Sequence, residues 1–444
     1  MSKGNQWSSR LGFILASAGA AIGLGAIWKF PYVTGTSGGG AFFALFILFT
    51  IFIGLPLLLA EFIIGRHTGK EAISAYKAIA PKSAWVWIGR LGVLSCVVLL
   101  SFYSVVGGWV ILYTIMSVTG MLSGKEYGPL FNAVISQPYV VLGAQALFLL
   151  ITVFVISKGV QKGIERANKY MMPLLFICFI IIVVRSLTLD GAMDGVKFFL
   201  KPDFSAITGS SVLYALGQSF FSLCVGLSCM VTYSSYLGKK VSLTRSAGTI
   251  ALLNLFVSLL AGLAIFPAVF SFGLKPTEGP GLLFVVLPTV FEKMPFGTVF
   301  LALFLILFLF ATLTSAFSLL EIIVAALTKD DQTKRTRYAS LSGILVFVVG
   351  IPSALSFGVL KHVSLFGRSI FDVADFFVSN LMLPLGSLAI AIFVTFKMKK
   401  EAVYEEFISG STKGAKLFNA WFFLVKYVLP IIIIAVLLSL LVAY

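Results

Sequence analysis

Charge is scarce in this chain, and acid is scarcer than base. Only 11% of its 444 residues are charged, with 17 Asp and Glu against 33 Lys and Arg. Soluble domains carry roughly 25% charged residues, so the composition excludes an ordinary soluble globule. Histidine is nearly absent. His67 and His362 stand far apart, which excludes a histidine metal cluster. The four cysteines, Cys96, Cys178, Cys224 and Cys229, all fall in apolar segments. Their spacing suits neither a disulfide framework nor a zinc site. Residues 1–10 are polar and no small-residue cleavage site follows, so no secretory signal is expected.

What is present in their place is apolar length. Hydrophobic residues make up 59% of the chain. Uncharged runs at 91–124, 127–157, 204–238, 246–274, 294–320, 338–360 and 376–396 each reach or exceed the roughly 20 residues that cross a bilayer. Eleven spans are expected, at about 11–32, 40–66, 88–122, 139–157, 163–184, 211–237, 243–272, 296–327, 338–359, 370–396 and 418–444. A short external hairpin is expected at 276–295. The net charge of +16 is concentrated in alternate loops, 66–90, 158–169, 239–245, 329–337 and 397–416. That is the positive-inside pattern of a multi-pass cell-membrane protein. It places the N-terminus in the cytoplasm and, with eleven spans, the C-terminus outside. Basic loops facing anionic lipid account for the charge without any nucleic-acid partner.

Two spans are flawed in a matched way. The first contains Ala18-Gly-Ala-Ala-Ile-Gly-Leu-Gly-Ala-Ile-Trp-Lys-Phe-Pro31, with Gly at 19, 23 and 25. The sixth contains Gln218-Ser-Phe-Phe-Ser-Leu-Cys-Val-Gly-Leu-Ser228. A bare backbone group in lipid costs several kcal/mol, so such breaks must be packed on protein or line a polar cavity. One break alone reads equally as a glycine hinge or a close helix contact. Two breaks five spans apart place two five-span units in opposite orientation, the pattern of an inverted repeat with its binding site between the breaks. The units are 1–186 and 210–396, joined by an extracellular loop at 187–209 and followed by a cytoplasmic loop and last span at 397–444. Half-helix amides suit a carboxylate, and half-helix carbonyls suit a cation.

Other residues add to this site. Ala311-Thr-Leu-Thr-Ser315 offers hydroxyls for a neutral oxygen site, although intramembrane hydroxyls also bond back to their own helix. Lys29 and Asp375 are opposite charges expected near one membrane face, either a closing ion pair or two helix-end charges. Glu61 and Glu321 are intramembrane acids and therefore functional candidates. Each reads as a structural acid on broken-helix amides or as a proton-linked group. Gly163 and Pro173 form either a hinge that lets the cytoplasmic half of the fifth span unwind or a static kink.

These motifs, together with Gly38-Gly-Gly-Ala-Phe42 and Thr232-Tyr-Ser-Ser-Tyr236, resemble the neurotransmitter:sodium symporter family over nearly the whole chain. The resemblance implies an all-α LeuT fold, a 5+5 inverted repeat with eleven transmembrane helices, the first and sixth discontinuous. It implies a second sodium site from Gly19, Ile22, Ala311, Thr314 and Ser315. It implies a substrate pocket lined by Ala21, Gly25, Leu99, Tyr103, Phe221, Ser222, Cys224, Leu227, Ser315 and Leu319. Tyr103 and the amides near Gly25 would hold a substrate carboxylate. Phe221 and Tyr103 would form a lid, and Lys29 and Asp375 an outer gate. Trp7, Tyr236 and Asp330 or Asp331 would brace an inner gate, and Gly163 with Pro173 would let span five unwind.

The departures from the family pattern carry their own expectations. Ala26 stands where relatives have a sodium-binding Asn, leaving an incomplete first sodium site of Ala21, Ser222 and Asn254. Gln218, Ser222, Asn254 and Ser258 match a chloride site, but Phe46 replaces its Tyr. Neither an acid at Ser258 nor the full chloride set is present. The combination implies Na+ as the coupling ion, one per cycle at the second site, with weak or no chloride dependence. Gly23 stands where monoamine carriers place an acid, so the substrate must bring its own carboxylate. With Leu99, Cys224, Leu227 and Leu319 around it, a hydrophobic L-amino acid is expected. A Na+/Cl−-dependent carrier of another small carboxylate-bearing amine is the alternative within the class. An ion channel is the alternative outside it, without a pore-loop signature to favour it. No nucleophile–base pair or metal set points to an enzyme.

Overall fold

The computed structural model describes residues 6–23, 25–122, 124–274, 283–329, 331–410 and 414–442. These are helical almost throughout, and no strand occurs among them. Nine helices are long and apolar enough to cross a membrane: Gly40–Thr68, Val86–Val118, Pro138–Ser157, Val160–Leu187, Leu243–Ser271, Gly297–Thr328, Gln332–Leu355, Ile370–Phe396 and Ala415–Ser439. A tenth is the pair Arg10–Ile22 and Gly25–Thr36, bent by 44°. The remaining span is cut in two, Gly209–Leu223 and Cys229–Ser235. Neither piece reaches the roughly 20 residues needed to cross alone. Counted in chain order as spans one to eleven, the two interrupted ones are the first and sixth. The second break is shorter than the 218–228 stretch expected from sequence. Helix continues through Leu223 because its polar residues find bonds within it and to span one, and only 224–228 leave the helix.

Why these breaks form is local. Span one closes at Gly23, whose ψ of −138° leaves the helix. In span six Cys224, Gly226 and Ser228 all take positive φ, at 53°, 88° and 56°. Two non-glycine residues in the left-handed region cost about 1–3 kcal/mol each and persist only when the surroundings fix them. The surroundings here are span ten. A methyl on Gly226 would meet Ser387 Oγ at 2.7 Å, and one on Gly386 would collide with the Gly226 carbonyl.

Proline shapes the other irregularities. Four π-helical turns, Gly25–Lys29, Thr50–Gly54, Phe377–Met382 and Leu424–Val428, each end two residues before a proline: Pro31, Pro56, Pro384 and Pro430. A proline ring clashes with the carbonyl four residues back and offers it no N–H. A wider turn moves that carbonyl aside and keeps the span continuous. The fifth π turn, Val160–Glu165, opens span five and leads into Arg166–Leu187, which runs unbroken through Pro173. The segment between Gly163 and Pro173 is therefore wound here.

Span three packs along spans four, eight and nine, and spans one and five pack on each other and each on spans seven and eight. Large apolar side chains such as Leu150, Phe154, Ile177 and Ile344 point outward, as lipid-facing residues must. Outside the spans, the 187–209 loop carries a helix, Ala192–Leu200, whose Phe199 stacks on Phe43 at 4.7 Å and fills the space above Gly262. Of the expected 276–295 hairpin, 276–282 lie outside the described residues, and Val286–Glu292 is a helix. At the basic end, Arg66 of span two donates to Glu406 Oε2 at 2.5 Å, to the Glu406 carbonyl at 2.6 Å and to the Val241 carbonyl at 2.5 Å. Glu406 sits on the helix Lys400–Ile408, so this pair ties the segment before span eleven to span two.

Both side chains of that pair are buried, at 0% and 5% exposure. Removing one partner strands the other. Arg66→Met is expected to lower stability by about 3–5 kcal/mol. Arg66→Met with Glu406→Leu should recover most of the loss, measured as the melting temperature in detergent. An unchanged melting temperature in the single variant would show that the pair contributes nothing.

Candidate functional site

The backbone ends freed at the two breaks are satisfied by side chains from other spans. Glu61 of span two, fully buried, accepts from the Gly226 amide at 2.8 Å and the Met230 amide at 3.0 Å. It is thus the acid seated on broken-helix amides, one of the two readings its sequence position allowed. Ser315 Oγ donates to the carbonyls of Gly19 at 2.9 Å and Ala20 at 3.0 Å. Thr314 Oγ1 donates to Gly19 O at 3.2 Å and to Ala311 O at 3.0 Å. Span eight therefore brings its hydroxyls to the end of the first half of span one. Gly19, Ala311, Thr314 and Ser315 of the expected second sodium site meet there, and Ile22 lies one turn on, fully buried. The set is neutral, all oxygen, and sheltered from water, which suits a hard monovalent cation.

The expected pocket residues line the same region. Tyr103 and Ser315 flank Gly23: a methyl there would lie 2.6 Å from Tyr103 Oη and collide with Ser315 Oγ. A side chain at Gly25 would meet Phe221 Cδ1 at 3.0 Å and the Ser222 backbone at 3.2 Å. Both glycines are therefore close-packed positions that admit no larger side chain. Cys224 Sγ donates to Ala20 O at 3.1 Å. Ala21, Leu99, Leu227 and Leu319 are at most 3% exposed and join one apolar core with Cys224.

A second polar cluster joins spans one, six and seven. Gln218 Nε2 donates to the Gly25 carbonyl at 2.6 Å. Asn254 Nδ2 donates to Ser222 Oγ at 3.1 Å, and Ser258 Oγ donates to Asn254 O at 3.0 Å. Residues expected to hold chloride thus each give one hydrogen bond to the protein. Gln218 Oε1 and Asn254 Oδ1, both acceptors, have no hydrogen-bond partner among the described residues. Ala26, next to Gly25, and Phe46 are both fully buried and bring no oxygen from their side chains.

On one side of the site, Lys29 Nζ pairs with Asp375 at 2.8 and 2.9 Å and donates to Ser379 Oγ at 2.9 Å. Ser379 in turn donates to Asp375 at 2.9 Å. The lysine also lies 4.8 Å above the Phe221 ring, a cation–π contact. On the other side, Trp7 Nε1 donates to Tyr233 O at 2.8 Å and its amide to Tyr236 O at 3.2 Å. Tyr236 Oη donates to Glu321 at 3.0 Å, and Glu321 is ion-paired with Arg335. So Glu321 is bound by a tyrosine and an arginine and holds no broken-helix amide. Asp331 is exposed and bonds Thr333 and Lys334 of its own turn, and Asp330 lies outside the described residues. Glu165 joins this side from span five, accepting from the Ser8 amide at 2.9 Å and from Ser8 Oγ at 2.5 Å.

Sequence reasoning missed Ser379, Arg335, Glu165 and Tyr233. Ser379 was discoverable, four residues past Asp375 on one helix. Arg335 sat inside a run counted only as loop charge. Glu165 and Tyr233 act through contacts more than 150 and 200 residues away, which no local pattern reveals.

The description of the sodium:neurotransmitter symporter family matches residues 4–137 and 131–444. The chain is 56% identical over 438 residues to the sodium-dependent transporter YhdH of Bacillus subtilis (strain 168), itself uncharacterized, covering 98% of this chain and 97% of that one. It is 27% identical over 441 residues to the sodium- and chloride-dependent GABA transporter 2 of Bos taurus, covering 88% and 72%. The crystal structure of MhsT in complex with L-phenylalanine superposes with a TM-score of 0.92 at 41% identity, covering 98% of this chain and 99% of that one.

Lys29 of the Lys29–Asp375–Ser379 cluster lies over Phe221, three residues before Cys224. With Cys96, Cys178 and Cys229 replaced by Ala, Cys224 should label slowly with a membrane-impermeant maleimide. Adding Lys29→Ala should speed labelling about threefold, because a part-buried ion pair no longer opposes local opening. Equal rates would show that this cluster does not close the site.

Proposed function

Because the chain belongs to the sodium:neurotransmitter symporter family, we propose that it is a Na+-coupled symporter that imports hydrophobic L-amino acids by alternating access. Its fold is the LeuT fold, shared with MhsT, and its N-terminus lies in the cytoplasm with its C-terminus outside. The observation that carries the reading is the meeting of Thr314 and Ser315 with the Gly19 and Ala20 carbonyls at a break in the membrane. In an inverted repeat the two half-spans rock against the other spans about such a point. A cation bound there joins span one to span eight. It thereby favours the conformation in which the neighbouring pocket is formed, which is how ion and substrate binding become one event.

The pocket supports the substrate class. The Tyr103 and Ser315 hydroxyls close on Gly23, where the chain carries no acid, so hydroxyls and span-one backbone are placed to meet a substrate carboxylate. Leu99, Cys224, Leu227 and Leu319 offer apolar walls. Burying a full apolar side chain there favours binding by roughly 1.5–3 kcal/mol. Such walls separate similar side chains by only about 1–3 kcal/mol per methylene, so several amino acids should be carried. The relative MhsT was solved with L-phenylalanine, which agrees with this class.

The second polar cluster supports an ion count of one. Ala26 cannot ligate sodium. One amide hydrogen each of Gln218 and Asn254 is engaged by Gly25 O and Ser222 Oγ, and Phe46 brings no hydroxyl, which favours weak or absent chloride dependence. The wound segment between Gly163 and Pro173 is the hinge in this cycle, and its unwinding opens the cytoplasmic route to the second sodium site.

Uptake of L-phenylalanine or L-leucine into proteoliposomes should require an inward Na+ gradient and should persist when chloride is replaced by gluconate. Thr314→Ala should raise the half-saturating Na+ concentration about tenfold or more, as expected for one lost bond to a charge. Ala26→Asn should leave folding intact and raise the Na+ Hill coefficient above that of the parent. Conductance without substrate accumulation would overturn the reading in favour of a channel, and a parent stoichiometry of two Na+ would overturn the ion count.

A further inference from the structure

Span five carries a residue that the expected ion and substrate sites do not include. Asn168 is fully buried. Its Nδ2 donates to the Ile164 carbonyl one turn back, at 2.9 Å. An amide has one nitrogen and one oxygen, so that bond fixes the oxygen on the other side. Asn168 Oδ1 has no hydrogen-bond partner among the described residues. It abuts Gly19: a methyl there would collide with Asn168 Oδ1 and touch Thr314 Cβ at 3.0 Å. The absent side chain of Gly19 thus marks a point bordered by Thr314 on span eight and by an idle carbonyl oxygen on span five. A buried acceptor without a partner costs about 1–3 kcal/mol and calls for an explanation.

We propose that Asn168 supplies a further oxygen, from span five, to the cation held between Gly19 and Thr314. This rests on the reading of that place as a sodium site. The chemistry matches, because a carboxamide oxygen is a neutral hard donor like the carbonyls and hydroxyls already there. It has a mechanical consequence too. Asn168 lies five residues after Gly163 and five before Pro173, midway in the segment proposed as the hinge. While that segment is wound, its oxygen faces Gly19. Unwinding it carries the oxygen away and removes a contact from the ion at the moment the cytoplasmic route opens. Span five then senses the ion directly as well as giving water a way to it.

The test is a Na+ titration of the purified full chain, read both as thermal shift and as amino-acid uptake. Asn168→Ala should raise the half-saturating Na+ concentration about tenfold, with the half-saturating amino-acid concentration at saturating Na+ unchanged. Asn168→Asp keeps an oxygen and adds charge, and should restore or exceed the parent's Na+ affinity. A purely structural Asn168 predicts a different result. Asn168→Ala would then melt lower in Na+-free choline buffer while its Na+ dependence stays that of the parent, and this would overturn the proposal. Should Asn168→Ala fail to fold, a Na+ affinity in Asn168→Leu equal to the parent's would overturn it equally. Thr314→Ala separates the two levels. If it shifts Na+ dependence and the Asn168 variants do not, only the span-five contact is wrong. If it shifts nothing, the sodium site itself is misplaced.

Discussion

No backbone donor or acceptor can stand bare inside a bilayer, and this chain breaks two membrane helices. Several of its buried polar residues are arranged to meet that constraint. Glu61 takes two amides of the sixth span, and Ser315, Thr314, Cys224 and Gln218 take carbonyls of the first. The partners come from spans two, six and eight, so the broken ends are also the points where separate parts of the bundle are tied. A polar group that must be satisfied, and that can be satisfied by a ligand in exchange for a side chain, is a binding site by construction. The same neutrality that makes Thr314 and Ser315 adequate partners for Gly19 makes them adequate partners for a cation.

The two sides of the site are closed by different physics. On the Lys29 side a single ion pair, 14% and 27% exposed, is backed by one serine and an aromatic ring. Pairs of that exposure are worth little on their own. On the Trp7 side the closure is broad: an indole and its backbone amide on two carbonyls, a tyrosine on a buried acid, an arginine on the same acid, and Glu165 holding the start of span one. Buried charge pairs resist separation because parting them strands a charge. The asymmetry favours opening toward the Lys29 side at rest and makes opening toward the Trp7 side depend on something else. Span five, which carries Glu165, is placed to be that element.

Much of this could be read from composition and pattern. The span boundaries fell within a few residues of the helices because lipid demands long apolar runs, and both breaks were visible as glycine and polar residues at mid-span. The LeuT fold followed from the order of motifs. What escaped was pairing across distance. Glu321 looked like a candidate for broken-helix amides, yet Arg335 and Tyr236 claim it, because a buried carboxylate goes to the nearest full charge. The extent of the second break escaped for a related reason. Gln218 and Ser222 look like helix-breakers in isolation, but bonds to Gly25 and Asn254 let the helix run on past them.

The π turns that precede Pro31, Pro56, Pro384 and Pro430 bear on how these spans are to be aligned. Each holds about one residue more than an α turn, so the helix beyond it is rotated by about 100° relative to an unbroken wheel. A stripe of side chains that faces the interior before the turn passes to another face after it, with no change in the rise of the span. A single helical wheel drawn through span two or span ten therefore merges two different faces. Deleting one residue at such a turn would shorten the chain by a single step yet turn everything beyond it toward the wrong neighbour. In these spans insertion and deletion are rotations, and the prolines record where the chain has already made one.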